Sequence, residues 1–165
     1  MVTQYSKDME RVAQALILCR KLHEGQTDKC GQPYWIHPFT VAMRIFTGHN
    51  ANVTSNMIVG LLHDVPEDTG MSVDALGTLI ELTDEEKSAI SLLTHKDGVS
   101  YDAYINSILE SGNTLAIEVK ADDLLHNLNL NRLHDAGIDI TKKDEQRSKR
   151  YAMYLHKLLK KLNEN

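Results

Sequence analysis

The sequence is poor in cysteine, proline and aromatic residues, and each scarcity closes off a class of protein. Of its 165 residues only Cys19 and Cys30 are cysteines, and they make neither a disulfide framework nor a CxxC pair. A reducing cytoplasm is the expected compartment. Three prolines and nine glycines exclude collagen-like and low-complexity chains. Apolar runs uninterrupted by glycine reach only five residues, as in Ala15–Cys19. A membrane-spanning helix needs about 20, so none is expected. Lys7, Asp8, Glu10 and Arg11 precede any apolar stretch, and no signal peptide is expected. Strand-like alternation and internal repeats are also missing.

What is present fits one globular domain, taken as residues 1–165, with 42% hydrophobic and 25% charged residues. A domain of this size buries roughly two-thirds of its unfolded surface, enough for a true core. The net charge of −5 is unevenly spread. Residues 1–140 carry ten Lys/Arg against twenty Asp/Glu, whereas residues 141–165 carry eight against three. A duplex-binding protein should be basic overall, so nucleic acid is not an expected partner. The basic C-terminal stretch reads either as a solvated helix face or as a local counter-charge for an anionic ligand.

Apolar spacing of the helical kind predicts an all-α chain. The first helix is expected over 5–24, with Met9, Val12, Leu16 and Cys19 on one side. A second starts near Pro38 and runs to Thr47, and a third covers 54–65 and is stopped by Pro66. Ser72 caps a short helix to Ile80, and Thr83 with Glu86 makes a capping box for 84–94. Ser100 opens a helix to Ser111, Asn113 one to Asn129, and the basic helix covers 143–162.

Three features of this helical chain carry chemistry. His63-Asp64 ends an apolar helix, where a buried carboxylate costs several kcal/mol unless something pairs with it. His37 stands between Tyr34-Trp35 and Pro38, and taken alone reads as a satisfied core or capping histidine. Asp123 shares a helix face with Ala116, Val119 and Asn127, a face that otherwise looks like core, so it too needs a partner. Asp122 is expected to face solvent. Together His37, His63, Asp64 and Asp123 form a His2Asp2 set that suits Mn2+, with Fe2+ or Mg2+ as alternatives. Water at such an ion becomes a far better nucleophile near neutral pH.

In order along residues 10–155 the chain carries His23-Glu24-Gly25-Gln26, Lys29, Gly31, Pro33-Tyr34 and His37-Pro38. Leu61-Leu62-His63-Asp64-Val65-Pro66-Glu67-Asp68-Thr69 follows, then Lys120, Asp123 and Leu125-His126-Asn127. This series resembles the HD-domain hydrolases of the Rel/Spo alarmone type, in particular the small single-domain alarmone hydrolases. The resemblance implies a single compact HD-domain helical bundle in which His37, His63, Asp64 and Asp123 hold Mn2+. It implies that Glu67 and Asp68 organise or activate the attacking water and that Asn127 touches the nucleotide. Lys29 matches a ligand-contacting lysine. Arg147 and Tyr151, four residues apart on the last helix, resemble an Arg-xxx-Tyr element that would hold a phosphate and stack or donate a hydrogen bond. The implied reaction removes pyrophosphate from the 3′ oxygen of (p)ppGpp. With no room in 165 residues for a synthetase domain, synthesis is not expected.

The remaining signals are lesser ones. Lys120, one turn before Asp123, is expected to pair with an acid rather than with substrate. Lys96, Tyr101 and Tyr104 look like the subgroup's helical hairpin. His126 is expected to orient a ligand or acid, and His23 to pack at a helix end. His49, His95 and His156 are expected at the surface, and His134-Asp135 reads as a solvated chance pair. Asp28 departs from the family pattern, standing where many alarmone hydrolases place a base-holding arginine. That reversal of charge leaves (p)ppApp, NADPH or another 3′-phosphorylated nucleotide as alternative substrates. A nucleotide-binding HD module without catalysis is the alternative of a different class.

Overall fold

Most helix starts fall where capping side chains stand in the sequence. The computed structural model describes residues 3–47 and 52–164, and His49 lies outside them. The first four helices are α1 (Gln4–Leu22), α2 (Ile36–Thr47), α3 (Val53–Leu62) and α4 (Val65–Thr69). They are followed by α5 (Val73–Leu79), α6 (Asp84–Leu93), α7 (Tyr101–Ser111), α8 (Thr114–Asn127), α9 (Asn131–Asp135) and α10 (Lys142–Asn163). Ser72, Thr83, Ser100 and Asn113 each accept a hydrogen bond from the backbone N–H three residues on. Reciprocal capping boxes close Thr83 on Glu86 and Thr141 on Asp144. No strand is present among the described residues, only an isolated bridge between Thr27 and Pro33 that pins the α1–α2 loop. No helix there is long and apolar enough to cross a membrane.

α3 is the axis of the core. Every residue from Ser55 to Leu62 is buried, as expected of a helix that is apolar nearly all round. It packs against α1, α2 and α8, while α10 lies along α8. Gly60 sets the closeness of α2 and α3: a Cβ there would stand 3.3 Å from the Ala42 Cα and 3.1 Å from the Ile45 Cδ1. A bulkier residue would push the helices apart, and with them the start of α2 and the end of α3. Those two places carry His37 and His63.

Several boundaries differ from the sequence reading, among them the ends of α1 at Leu22 and α8 at Asn127, each two residues early. α2 begins two residues before Pro38. α3 stops at Leu62 rather than at Val65, and Val65 is itself helical. Pro66 therefore starts a helix instead of stopping one, at a position where no intrahelical N–H is needed and its fixed φ suits the turn. His63 and Asp64 consequently lie in the two-residue connection between α3 and α4. Glu67 and Asp68 lie on α4, which closes at Gly70 with φ 71°, a left-handed conformation that glycine adopts at little cost. α9 was not foreseen, since it is five residues long with Leu130 at its N-cap and no capping side chain.

Candidate metal centre and nucleotide cavity

The start of α2, the α3–α4 connection and the middle of α8 converge on one cluster. One ligand atom each from His37, His63 and Asp123 lies within 4.8 Å of the others. Asp64 bridges the imidazoles, with Oδ1 3.1 Å from His63 Nε2 and Oδ2 3.3 Å from His37 Nε2. Asp123 Oδ1 is 3.2 Å from His37 Nε2 and 4.0 Å from His63 Nε2. His37, His63 and Asp123 are buried, while the Asp64 side chain keeps 20% of its exposure, the side open to a ligand.

Buried carboxylates need compensation, and each has it. Asp123 accepts from Lys120 Nζ at 2.8 Å and from Asn127 Nδ2 at 2.6 Å. Burial alone would raise the Asp123 pKa, but the Lys120 charge and the His37 hydrogen bond hold it well below the carboxylate range. Asp64 accepts from the Tyr34 hydroxyl at 2.8 Å. Burial works against its ionised form too, and the His63 and His37 charges outweigh it and pull the pKa down. Lys120 is itself buried, with Nζ 5.0 Å from the Tyr104 ring centre and 5.7 Å from that of Tyr101. The Asp123 charge keeps it protonated against the burial penalty, so Lys120 has the structural role read from the sequence.

The histidines are aimed by what their other nitrogens do. His63 Nδ1 meets the Gly60 carbonyl at 2.8 Å and can only donate there. A neutral His63 therefore presents the lone pair of Nε2, which is buried and without a hydrogen-bond partner, toward the carboxylates. A lone pair facing carboxylate oxygen is repulsive unless a cation lies between them. His37 Nδ1 meets His126 Nδ1 at 2.6 Å. Burial and then the His37 charge push His126 down to about 4, so His126 accepts and His37 donates. That contact orients the His37 ring, as expected for His126. Burial opposes the charged form of His37, yet its hydrogen bonds to Asp123 and Asp64 lift it to about 10. Two imidazoles and two carboxylates converging in this way fit a divalent ion.

His37, Asp64 and Asp123 of the cluster form one wall of a cavity of about 390 Å3, with His63 outside its lining; Lys29, Glu67, Asn127, Arg147 and Tyr151 also contribute. Glu67 Oε2 accepts from the His95 backbone N–H at 3.1 Å. Asp68, unlike Glu67, does not line the cavity: it is an exposed residue beside Tyr34, where partial loss of hydration and the Asp64 charge raise its pKa. Lys29 Nζ and Arg147 Nη2 both reach Asp144 Oδ1, at 2.7 and 3.0 Å. Asp144 Oδ2 closes the α10 capping box on the Thr141 N–H and hydroxyl. Tyr151 stacks on Tyr101, with ring centres 5.5 Å apart.

Some expectations need correction. His95 is not a surface residue: it is half-buried in the cavity wall, its ring packed 4.7 Å from that of Tyr104. Asp122 is only 19% exposed and pairs with Arg44 Nε at 3.4 Å. Asp28 neither points to solvent nor stands free to meet a base. Its Oδ1 accepts from the Cys30 and Gln32 N–H groups, and its Oδ2 lies 3.3 Å from Arg132 Nη1. The exposed His134-Asp135 pair and His156, and the buried His23, are as expected. Tyr34 stands in the quoted Pro33-Tyr34 motif but was given no role, and Asp144 and Arg132 were not singled out from the sequence. Tyr34 could have been found from its place one turn before His37, and Asp144 from the Thr141 capping pattern. Arg132 left no signal.

Fold and site together describe an HD-type helical domain with a buried His/Asp group able to bind a metal. No family model matches the chain. It is 30% identical over 141 residues to a guanosine-3′,5′-bis(diphosphate) 3′-pyrophosphohydrolase of Borreliella burgdorferi, covering 75% of this chain and 20% of that one. It is 36% identical over 101 residues to a GTP pyrophosphokinase of Myxococcus xanthus (60% and 12% covered). It is 39% identical over 61 residues to the bifunctional (p)ppGpp synthase/hydrolase SpoT of Escherichia coli (37% and 8% covered). The chain thus spans at most a fifth of the length of these curated relatives. A solved structure of a metazoan ortholog of SpoT, a protein described as hydrolysing ppGpp, superposes with a TM-score of 0.68 at 20% identity. It covers 92% of this chain and 85% of that one. The resemblance to Rel/Spo-type alarmone hydrolases therefore holds in sequence and in fold.

Proposed function

We propose that residues 1–165 form one metal-dependent hydrolase domain that removes pyrophosphate from the 3′ position of (p)ppGpp-type nucleotides. The observation that carries this reading is the convergence of His37, His63, Asp64 and Asp123, three of which (His37, Asp64 and Asp123) face a cavity that Lys29 and Arg147 also line. In this reading those four residues hold Mn2+, or Fe2+ or Mg2+. A bound divalent ion supplies charge neutralisation at the phosphate and lowers the pKa of water.

This chain's own residues supply the rest. Lys29 and Arg147, fixed by a shared carboxylate oxygen, offer a charged pair to the substrate's phosphates. Arg147 supplies the planar donor fork and Lys29 the point charge. Glu67 in the cavity wall accepts the proton of the attacking water, and Asp68, made more basic by its surroundings, assists through the Tyr34 side. Tyr34 stays a hydrogen-bond donor, since burial and the Asp64 charge hold its phenol protonated, and it keeps Asp64 in place. Asn127 lines the cavity while bonding Asp123, so it both steadies that acid and borders the nucleotide. Tyr151, stacked on Tyr101, adds a flat face to the same wall.

The test is a panel of (p)ppGpp, (p)ppApp and NADPH with Mn2+ and with EDTA. Pyrophosphate is scored against single phosphate. Metal-dependent pyrophosphate release from (p)ppGpp is expected. Release of single phosphate alone would make the domain a different phosphohydrolase. Nucleotide binding without turnover in any metal would make it a noncatalytic module.

A further inference from the structure

Arg132 lines the cavity and belongs neither to the metal cluster nor to the phosphate-binding pair. It is the second residue of α9, and its side chain is one-third exposed, at 33%, in the cavity wall. Among the described residues its guanidinium makes one polar contact, Nη1 to Asp28 Oδ2 at 3.3 Å. Its Nε is shut away from solvent with no hydrogen-bond partner. A guanidinium has five N–H donors, so this one is far from saturated. Asp28 has little left to give, because its Oδ1 already accepts two backbone N–H groups of the loop.

The charges around the cavity separate two kinds of ligand contact. Lys29 and Arg147 share a single carboxylate and leave one positive charge over, which suits a phosphate. Arg132 and Asp28 cancel, and a phosphate drawn to Arg132 would meet the Asp28 carboxylate. A neutral polar group with acceptors pays no such penalty. The part of a nucleotide that is neutral, planar and acceptor-bearing is its base.

Resting on the reading of the cavity as a nucleotide site, we infer that Arg132, held by Asp28, contacts the base and selects 6-oxopurines over 6-aminopurines. A guanidinium fork presents two parallel donors. Guanine and hypoxanthine offer the matching adjacent acceptors, O6 and N7. Adenine offers N7 beside the N6 amino donors, so one arm of the fork would face a donor and lose its hydrogen bond. The acid at position 28 thus does not abolish a cation at this edge of the cavity; it anchors one that arrives from α9.

Equilibrium binding of GDP, IDP and ADP to the full chain with Mn2+ tests the inference without requiring turnover. GDP and IDP should bind alike, because the 2-amino group is not read. ADP should bind about tenfold or more weakly, the usual discrimination of a bidentate base contact. Arg132→Met keeps most of the packing and should bring the three within about threefold, chiefly by weakening GDP and IDP. Arg132→Gln should tilt the preference toward ADP, since a carboxamide matches the adenine N6/N7 edge. Pyrophosphate binding should be unchanged in both variants, which separates loss of base contact from misfolding. Equal binding of GDP and ADP by the unaltered chain would overturn the inference, as would an equal loss for all three in Arg132→Met. Turnover of ppGpp and ppApp reports separately on the proposed reaction. Selective GDP binding with no turnover would overturn the reaction and leave Arg132's role standing. Turnover of both nucleotides with no change of preference in Arg132→Met would do the reverse.

Discussion

The metal cluster and the cationic wall of the cavity are built on opposite principles. The cluster is largely buried where α2, the α3–α4 connection and α8 meet, and its charges are balanced within a few ångströms: Lys120 against Asp123, Tyr34 and the histidines against Asp64. The wall is made of long cations that remain substantially exposed, 49% for Lys29 and 40% for Arg147, tethered by one shared carboxylate, Asp144 at the start of α10. Burial makes each member of the cluster costly to remove, because whatever stays behind is an uncompensated charge. Exposure makes the wall forgiving, because water and salt replace what is lost. Substitutions should therefore separate the two regions by size of effect and by what is affected.

Asp123→Ala should give the largest loss. It removes a ligand atom and strands Lys120 as a buried cation, so activity and bound metal should fall to background. Stability should drop by about 3–5 kcal/mol in denaturant unfolding. Asp64→Ala should also abolish activity and metal retention, with a smaller stability cost, since Asp64 is partly exposed and its neighbour Tyr34 can turn to water. If either variant kept full activity and its metal, as read by elemental analysis, the ligand assignment would be lost.

Glu67→Gln probes the junction of the two regions. Its carboxylate is exposed, so neither fold nor metal content should change. The rate of the chemical step should fall about 10²- to 10⁴-fold, the usual contribution of a positioned base. An unchanged single-turnover rate would remove Glu67 from the reaction.

Proton linkage sharpens the comparison further. In the metal-free protein His37 holds its proton up to about 10, because Asp123 and Asp64 outweigh the burial penalty. A metal needs the Nε2 lone pair, so uptake must expel that proton. Metal affinity should rise with pH by up to about tenfold per unit until His37 deprotonates unaided. The stability of the metal-free protein should run the other way. A folded pKa raised above the ordinary 6.5 gives stability that is complete below 6.5 and is lost as the pH climbs through about 10. Calorimetry of metal binding in buffers of different ionisation enthalpy, with melts of the metal-free chain over the same range, reads both slopes. A pH-independent affinity would contradict His37 as a ligand.

The same contrast explains what could be read from sequence. His63, Asp64 and Asp123 were legible because an acid in an apolar helical stretch demands a partner, and burial follows from apolar spacing. The caps Ser72, Thr83, Ser100 and Asn113 were legible because their bonds span three residues. Pro66 misled because the same ring that ends one helix begins another, and only the packing of α3 decides which. The pairings of Asp28, Arg132 and Asp144 were opaque for a different reason. Their partners lie 104 residues away for Arg132 with Asp28 and 115 for Lys29 with Asp144, and a surface-type ion pair imposes no periodicity on the chain. Asp122 and His95 were misplaced by the same lack of a local signal.

The smallest effect is expected at Asp144, and its sign is the informative part. Asp144→Asn keeps an oxygen for the Thr141 cap but removes the charge that Lys29 and Arg147 share. Two consequences oppose each other. The wall becomes more positive, which favours an anionic substrate by about 1 kcal/mol at water-like dielectric. The two cations also lose their anchor, and ordering a long side chain anew costs up to about 2 kcal/mol each. Because both side chains are nearly half exposed, screening weakens the first effect and leaves the second intact. KM should therefore rise about threefold, with kcat within about twofold, and the rise should shrink on adding salt less than simple charge loss would require. A fall in KM would show that Asp144 competes with the substrate for Lys29 and Arg147 instead of holding them ready.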